Sequence, residues 1–204
     1  MIEILLVSIF SYLSGSIPFG LILTKFLSGK DVRKIGSGNI GATNVLRTGN
    51  KFLASTTLIL DILKGYIPVL ITQNYFPEYT QLSALLAFLG HTFPIWLRFK
   101  GGKGVATYLG VLLALSYSLG FLFMFTWVAV SLIFKYSSLS SMFSSLTVLV
   151  VTFFRETTIK AIDPNFIFED SINLILFIFF ILIIFTHRKN ISNLKKRTEQ
   201  KIKL

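Results

Sequence analysis

The polar segment from Asp31 to Arg47 combines residue types that suit the binding of anions. Its three glycines permit positive φ angles and close backbone approach, so successive amide N–H groups can form an anion-binding concavity. Its side chains add neutral donors and one guanidinium whose planar fork suits a phosphate. The candidate ligands in this segment are Ser37, Gly38, Asn39, Thr43, Asn44 and Arg47. A flexible solvated loop is the alternative interpretation.

A second candidate segment contains a glycine-rich string directly before an apolar stretch. Glycines at a helix N-terminus favour an anion site, and a lysine there adds a point charge. The spacing of a Walker A loop is absent. The candidates are Gly101, Gly102, Lys103 and Gly104. The alternative is that Arg98, Lys100 and Lys103 only anchor the chain at lipid head groups, an interpretation that suits Arg98 and Lys100 best.

The third candidate segment follows the last apolar stretch. His187 and Asn190 are three residues apart, so they share a face if the helix continues past His187. A serine cluster, in which Ser138 and Ser141 are candidate phosphate ligands, could add hydroxyl donors or could form only a tight polar turn. Asp61 and Lys64 lie inside an apolar stretch and can pair there, either for function or for structure.

Several residue patterns that other reactions need are absent from the chain. It has no cysteine, so disulfides, thiol nucleophiles and cysteine-bound zinc are excluded. Neither G-x-S-x-G nor H-E-x-x-H occurs. The only carboxylates expected near the same face as these segments are Asp31 and Glu199, which gives little support to paired-carboxylate catalysis or carboxylate-held metals. We therefore expect no metal site.

The composition shows what kind of elements must position these segments. Only 14% of the 204 residues are charged and 53% are hydrophobic, whereas a soluble domain carries about 25% charged residues. We therefore predict an all-α polytopic integral membrane protein that forms one domain, residues 1–204. The apolar stretches are 2–24, 53–73, 80–97, 105–117, 119–134, 140–157 and 170–186. The region 105–134 could be one long helix or two short ones.

The basic residues indicate how these stretches cross the membrane. The net charge of +11 would suggest nucleic acid in a soluble protein, but in a membrane protein it is typical of cytoplasmic loops. Seven spans with the N-terminus outside and the C-terminus cytoplasmic place 17 of the 20 Lys and Arg residues in the cytoplasm, whereas six would place the basic tail outside. The opposite segments, around Pro77 and around Asp163–Pro164 with Glu169–Asp170, contain no Lys or Arg. No nucleic-acid-binding motif is present.

Three motifs together resemble those of the bacterial acyl-phosphate:glycerol-3-phosphate acyltransferase family, known as the PlsY family. They are GSGNIGATNVLR (Gly36–Arg47), HTFPIWLRFKGGKGVAT (His91–Thr107) and HRKNI (His187–Ile191). Their order and spacing match over almost the whole chain. SGSIPFG, LDILKG and the serine-rich turn after Tyr136 are also similar.

The resemblance implies a seven-helix bundle in the bacterial inner membrane with its active site at the cytoplasmic face. It also implies transfer of a fatty acyl group from acyl phosphate to the 1-hydroxyl of glycerol 3-phosphate, the first acylation of phospholipid synthesis. The products are lysophosphatidic acid and phosphate. The expected partners are these two substrates and membrane lipid; no cofactor and no obligate protein partner are expected.

The resemblance also implies residue roles. Ser37, Thr43, Arg47 and Lys103 match phosphate- and substrate-binding positions, while His187 and Asn190 match the motif for glycerol 3-phosphate handling and activity. With Lys103, these two are the expected catalytic residues. The tail departs from the family pattern: Asn193-Leu194 and Arg197-Thr198-Glu199 stand where Arg-Leu and Gly-Thr-Glu are common. A further tail ligand has no clear counterpart, for which Lys195 or Lys196 could substitute.

Three alternatives stay open at this stage. Either His187 or the donor phosphate takes the proton of the attacking hydroxyl. Either Ser138 or Ser141 contacts phosphate. An organic-phosphate transporter would also need phosphate-binding loops and many spans, but no pair of inverted repeats is evident, and its special residues would be expected near the midplane rather than at one face.

Overall fold

The computed structural model describes residues 1–162 and 171–202, and over these residues the chain is helical without strands, which confirms the predicted all-α class. The helices are α1 (Ile2–Ser16), α2 (Phe19–Ser28), α3 (Ala42–Leu46), α4 (Lys51–Tyr75), α5 (Thr80–Thr92), α6 (Val105–Leu115), α7 (Tyr117–Phe134), α8 (Ser137–Ile162), α9 (Asn173–Thr186) and α10 (Arg188–Lys195). Short 3-10 turns lie at Val32–Lys34, Pro77–Tyr79 and Ile95–Leu97. The predicted acidic segment from Asp163 to Asp170 lies outside the described residues.

The chain forms two compact units, Met1–Gly120 and Phe121–Leu204, which divide within α7. In the first unit α1 packs on α5, and α4 packs on α6. Small residues allow these close crossings: Gly15 lies against the backbone of Ala87, and Gly65 against that of Thr107. In the second unit α8 packs on α9, and the tail returns to the α7–α8 turn, where the Ile202 amide donates to the Lys135 carbonyl at 2.7 Å.

The first predicted span, 2–24, is two helices rather than one. Ile17 is extended, with φ −65° and ψ 116°, and Pro18 follows it. Proline has no amide hydrogen and disfavours the helical conformation of the residue before it, so α1 ends at Ser16. The helical segment then resumes and reaches Ser28.

The region 105–134 forms two helices, which settles the open alternative. Ser116 separates them in an extended conformation, with φ −164° and ψ 118°. The predicted span 80–97 is also shorter than expected, because α5 ends at Thr92. At 1.5 Å per residue, α6 is about 16 Å long and α5 about 20 Å, whereas the hydrocarbon core is about 30 Å thick.

Four segments of the described chain are long and apolar enough to cross a membrane unaided, namely Ile2–Ser28, Lys51–Tyr75, Tyr117–Phe134 and Ser137–Ile159. A fifth is the pair α9 and α10, if this bent pair is one span. Seven spans and their orientation therefore stay a prediction, as does the single domain.

Candidate active site

Asn44 organises the first polar segment. Its side-chain amide is 3% exposed, and Nδ2 lies 2.7–3.0 Å from the carbonyls of Val32, Ile35 and Asn39. Its Oδ1 accepts from the Ser37 amide at 2.9 Å. We expected Asn44 to be a phosphate ligand, but its amide is engaged in holding the loop together. The structure therefore favours a positioning role for this residue.

The remaining residues of the first segment surround this hub. Gly36 and Gly38 adopt left-handed conformations with φ 54° and 72°, and the Arg47 side chain packs across Gly36. Ser37 is exposed between these two glycines. Asn39 Oδ1 accepts from the Gly41 amide at 2.9 Å, where α3 begins, and Thr43 is half-buried on α3. The segment thus presents Ser37 and Arg47 on a backbone shaped by Asn44.

An ion pair borders this loop. Arg33 donates from Nε and Nη2 to the two oxygens of Asp31, at 2.9 and 2.7 Å. These hydrogen bonds hold the pKa of the Asp31 carboxyl well below its usual range and raise the pKa of Arg33. Asp31 therefore stays ionised, which leaves it unsuited to act as a proton acceptor near neutral pH.

The second segment folds back onto the end of α5. The Gly101 amide donates to the Thr92 carbonyl and the Gly102 amide to the His91 carbonyl, both at 3.1 Å. We expected these amides to face an anion, but both are used to close the turn. A Cβ at Gly102 would overlap the His91 ring, so only glycine fits there. Lys103 is half-buried on this turn.

Gly104 ends the turn and begins α6. It has φ 80°, a left-handed conformation that favours glycine, and a Cβ there would overlap the Phe88 ring. Arg98 and Phe99 are also left-handed, with φ 51° and 60°, although they carry side chains. Such strained residues persist only where the surrounding structure holds them, and they are concentrated at ligand-binding loops.

The first two segments meet at a cavity of about 550 Å³ within the first unit. Gly38 lines it from the first segment and Gly101 from the second. The other lining residues are Arg33, Ile40, Trp96, Leu97, Arg98 and Lys100. Three of these eight residues are cationic. Arg98 and Lys100, which the sequence favoured as membrane anchors, therefore border a space that suits an anionic ligand.

His187 lies at the junction of α9 and α10, which are bent by 56°. Its ring is buried, and Nδ1 lies 2.8 Å from the Ile183 carbonyl. Because a carbonyl only accepts, Nδ1 carries the hydrogen, and in the neutral ring Nε2 holds the lone pair. Helical bonding continues through the bend, since the Ile191 amide donates to the His187 carbonyl at 2.9 Å, so Asn190 stays one turn beyond His187.

Glu199 accepts hydrogen bonds from three polar side chains in the second unit. Its Oε1 accepts from Ser138 at 2.8 Å and from Asn190 at 2.6 Å, and its Oε2 accepts from Asn193 at 3.3 Å. Ser141 instead donates to the Ser137 carbonyl and accepts from Trp127 Nε1 at 3.2 Å. Sequence reasoning missed Glu199 as the centre of this cluster, although Thr198-Glu199 matched the family pattern.

Among the described residues, no three His, Cys, Asp or Glu side chains are placed together to hold a metal ion. Lys195 and Lys196, the candidate substitutes for a tail ligand, are both exposed.

Comparison with known proteins gives concordant matches over the whole chain. The family profile described as glycerol-3-phosphate acyltransferase matches residues 5–197. A glycerol-3-phosphate acyltransferase of Pelagibacter ubique (strain HTCC1062) is 50% identical over 202 residues, 99% of each sequence. Two crystal structures of PlsY, an integral membrane glycerol 3-phosphate acyltransferase, are 35% identical and cover 98% of this chain. Its glycerol 3-phosphate form has a TM-score of 0.88 and its lysophosphatidic acid form 0.84, over 96% and 95% of those chains.

Proposed function

The chain belongs to the glycerol-3-phosphate acyltransferase family, and we propose that it transfers a fatty acyl group from acyl phosphate to the 1-hydroxyl of glycerol 3-phosphate. Membership of the family confirms the resemblance that the three motifs carried. The observation that best supports the reaction is the basic cavity where the first two motifs meet, because both substrates carry a phosphate. The products are lysophosphatidic acid and inorganic phosphate.

The residue types suit direct transfer. The hydroxyl oxygen attacks the acyl carbonyl, the bond from the acyl carbon to the phosphate oxygen breaks, and phosphate leaves. Acyl phosphate is an activated mixed anhydride, so no covalent enzyme intermediate is needed, in agreement with a chain that has no cysteine. Positioning and electrostatic stabilisation then supply most of the rate.

We assign the residues of the first unit to the two phosphates. We assign Ser37, Arg47 and Lys103 to direct contact with phosphate oxygens. These three are not among the residues that line the cavity, although Ser37 directly precedes the lining residue Gly38. Arg98 and Lys100, with Arg33 paired to Asp31, supply the positive charge of the lining. Asn44, Gly101 and Gly102 hold the loops in shape. The further direct contacts in this unit come from Gly38, Asn39, Thr43 and Gly104.

We assign the third motif and the serine cluster to the attacking hydroxyl and its proton. His187 is suited to accept a proton at Nε2, because Nδ1 donates to the Ile183 carbonyl. The departing phosphate is the alternative acceptor. Glu199 orients Asn190 and Ser138 together, so we favour Ser138 over Ser141 as the serine of the site.

The protein is a membrane protein of bacterial type, and we propose that it lies in the inner membrane with seven spans. The N-terminus would lie outside and the reaction would occur at the cytoplasmic face. This orientation keeps 17 of 20 basic residues, including the cavity's three cations, on the cytoplasmic side.

The decisive experiment uses the purified chain in detergent with acyl phosphate and glycerol 3-phosphate. We expect phosphate release coupled one-to-one to acylated product. No product from a protein that binds glycerol 3-phosphate would refute acyl transfer. In that case, uptake of glycerol 3-phosphate into proteoliposomes would support the transporter instead.

A further inference from the structure

A charged pair lies inside α4, and neither of its residues is assigned to the reaction. Asp61 and Lys64 are one turn apart and are 2% and 4% exposed, and Lys64 Nζ lies 2.8 Å from Asp61 Oδ1. Lys64 also donates to the Ile17 carbonyl at 2.6 Å, at the break between α1 and α2. A charged pair at this depth is costly and adds nothing to the ability of an apolar helix to span a membrane.

A third polar group completes this cluster. His91, near the end of α5, is 3% exposed, and its Nδ1 lies 3.8 Å from Asp61 Oδ1. Within the described structure, Nδ1 has no hydrogen-bond partner. We call Asp61, Lys64 and His91 the buried triad.

The buried triad is joined directly to the glycine turn that carries Lys103. The other side of the His91 ring, at Nε2, packs on Gly102, and the His91 carbonyl accepts from the Gly102 amide at 3.1 Å. The next amide in the turn, that of Gly101, donates to the neighbouring Thr92 carbonyl. The imidazole and the His91 carbonyl therefore restrain the backbone one residue before Lys103.

We propose that the buried triad positions the Gly101–Gly104 turn, so that Asp61 and Lys64 act on phosphate binding through His91. This inference rests on the proposed role of Lys103 in binding a substrate phosphate. The three groups are positioning residues: they hold the ring that fixes the turn, and none of them contacts substrate.

The test compares three variants in full-length protein. Asp61→Asn removes the charge that faces His91. His91→Gln removes the ring while keeping polar atoms. The double variant Asp61→Asn with Lys64→Gln removes both charges, so no unpaired charge stays buried. Thr72→Val is the matched control, because Thr72 is also buried on α4 and donates only within its own helix, to Pro68.

Three measurements separate positioning from general stability. They are KM and kcat for glycerol 3-phosphate, hydrogen exchange of the peptide covering residues 93–107, and the melting temperature. We expect Asp61→Asn and His91→Gln to raise KM or lower kcat/KM by about 10- to 100-fold, since small misplacements of a binding group have effects of this size. We also expect faster exchange in the peptide. Thr72→Val should lower only the melting temperature.

The double variant decides between positioning and a purely structural pair. If the buried triad positions the turn, the double variant should regain much of the melting temperature lost in Asp61→Asn. Its kinetic defect and its faster hydrogen exchange should persist. Recovery of all three together, or unchanged kinetics and exchange in His91→Gln, would overturn the proposal. If Asp61→Asn alone does not fold, the double variant and His91→Gln still carry the test. A wild-type protein that neither binds glycerol 3-phosphate nor turns over would instead refute the proposed function.

Discussion

At the residue scale, Lys103 lies on a turn in which the amides of Gly101 and Gly102 donate to backbone carbonyls. We predict that Lys103→Ala lowers kcat/KM by about 10²- to 10³-fold, the effect of removing one preorganised charged donor, or about 3–4 kcal/mol. Phosphate release by purified variants measures it. Lys34→Ala is the control, because Lys34 is an exposed lysine that belongs to none of the three motifs. Equal rates in the two variants would remove Lys103 from the phosphate site.

His187 offers a second residue-scale prediction, which concerns the proton. If Nε2 accepts the hydroxyl proton, His187→Ala should lower kcat by about 10²- to 10⁴-fold with little change in KM. Replacing His187 with Gln should not restore the rate, because an amide does not accept a proton near neutral pH. A rise in KM at unchanged kcat would make His187 a ligand and favour the donor phosphate as the proton acceptor.

Some features of the candidate site could not be predicted from the sequence. Residue types identified the polar loops, but they could not tell which donors the fold would use itself. The side-chain amide of Asn44 and the backbone amides of Gly101 and Gly102 instead donate to backbone carbonyls of the protein. The contact of Glu199 with Ser138 could not be predicted from the sequence, because the two residues lie 61 positions apart in the chain. Contacts of this kind arise from tertiary structure, which no local pattern encodes.

At the scale of elements, the apolar stretches predicted every long helix, but not the breaks and ends that shape the loops. Both boundaries follow from prolines: α1 ends before Ile17–Pro18, and α5 ends at Thr92, before Phe93–Pro94. Hydropathy does not indicate the second boundary, because Phe93–Leu97 is itself mostly apolar. That stretch instead forms part of the turn that leads to the glycines. Within this stretch, Trp96 Nε1 donates to Ser16 Oγ at 3.0 Å, and Trp96 lines the cavity.

Gly104 allows a prediction about the start of α6. Both Gly104 and Gly29 are left-handed, but a Cβ at Gly29 would meet nothing within 4 Å, whereas at Gly104 it would overlap Phe88. Gly29→Ala should therefore cost only the conformational penalty, about 1–2 kcal/mol. Gly104→Ala should lower the melting temperature further and reduce kcat/KM at least tenfold, because the turn must shift. Matching kinetics for the two variants would show that the start of α6 tolerates displacement.

At the scale of the whole molecule, the few charged residues bear on both membrane topology and the cavity lining. Composition alone predicted a helical membrane protein, and the proposed orientation would account for most of the excess positive charge. Arg33, Arg98 and Lys100, however, also border the cavity, so under our proposals the same residues would serve both topology and ligand binding. The helix lengths do not agree simply with the predicted seven spans. Alone, α5 and α6 are too short to cross a hydrocarbon core of about 30 Å.

The absence of cysteine makes this topology directly testable. Single substitutions Lys34→Cys, Glu78→Cys and Gln200→Cys each place one thiol at an exposed position. With seven spans, a membrane-impermeant maleimide should label the Glu78→Cys variant in intact spheroplasts. It should label the Lys34→Cys and Gln200→Cys variants only in inside-out vesicles. Six spans would leave Lys34 inside but expose position 200 to the outer reagent, bringing seven basic tail residues with it against the positive-inside preference. Labelling at position 200 therefore separates seven spans from six. Five spans, with neither α5 nor α6 crossing, would also keep position 200 inside. A Lys100→Cys variant, exposed to the outer reagent only if α5 does not cross, separates five spans from seven.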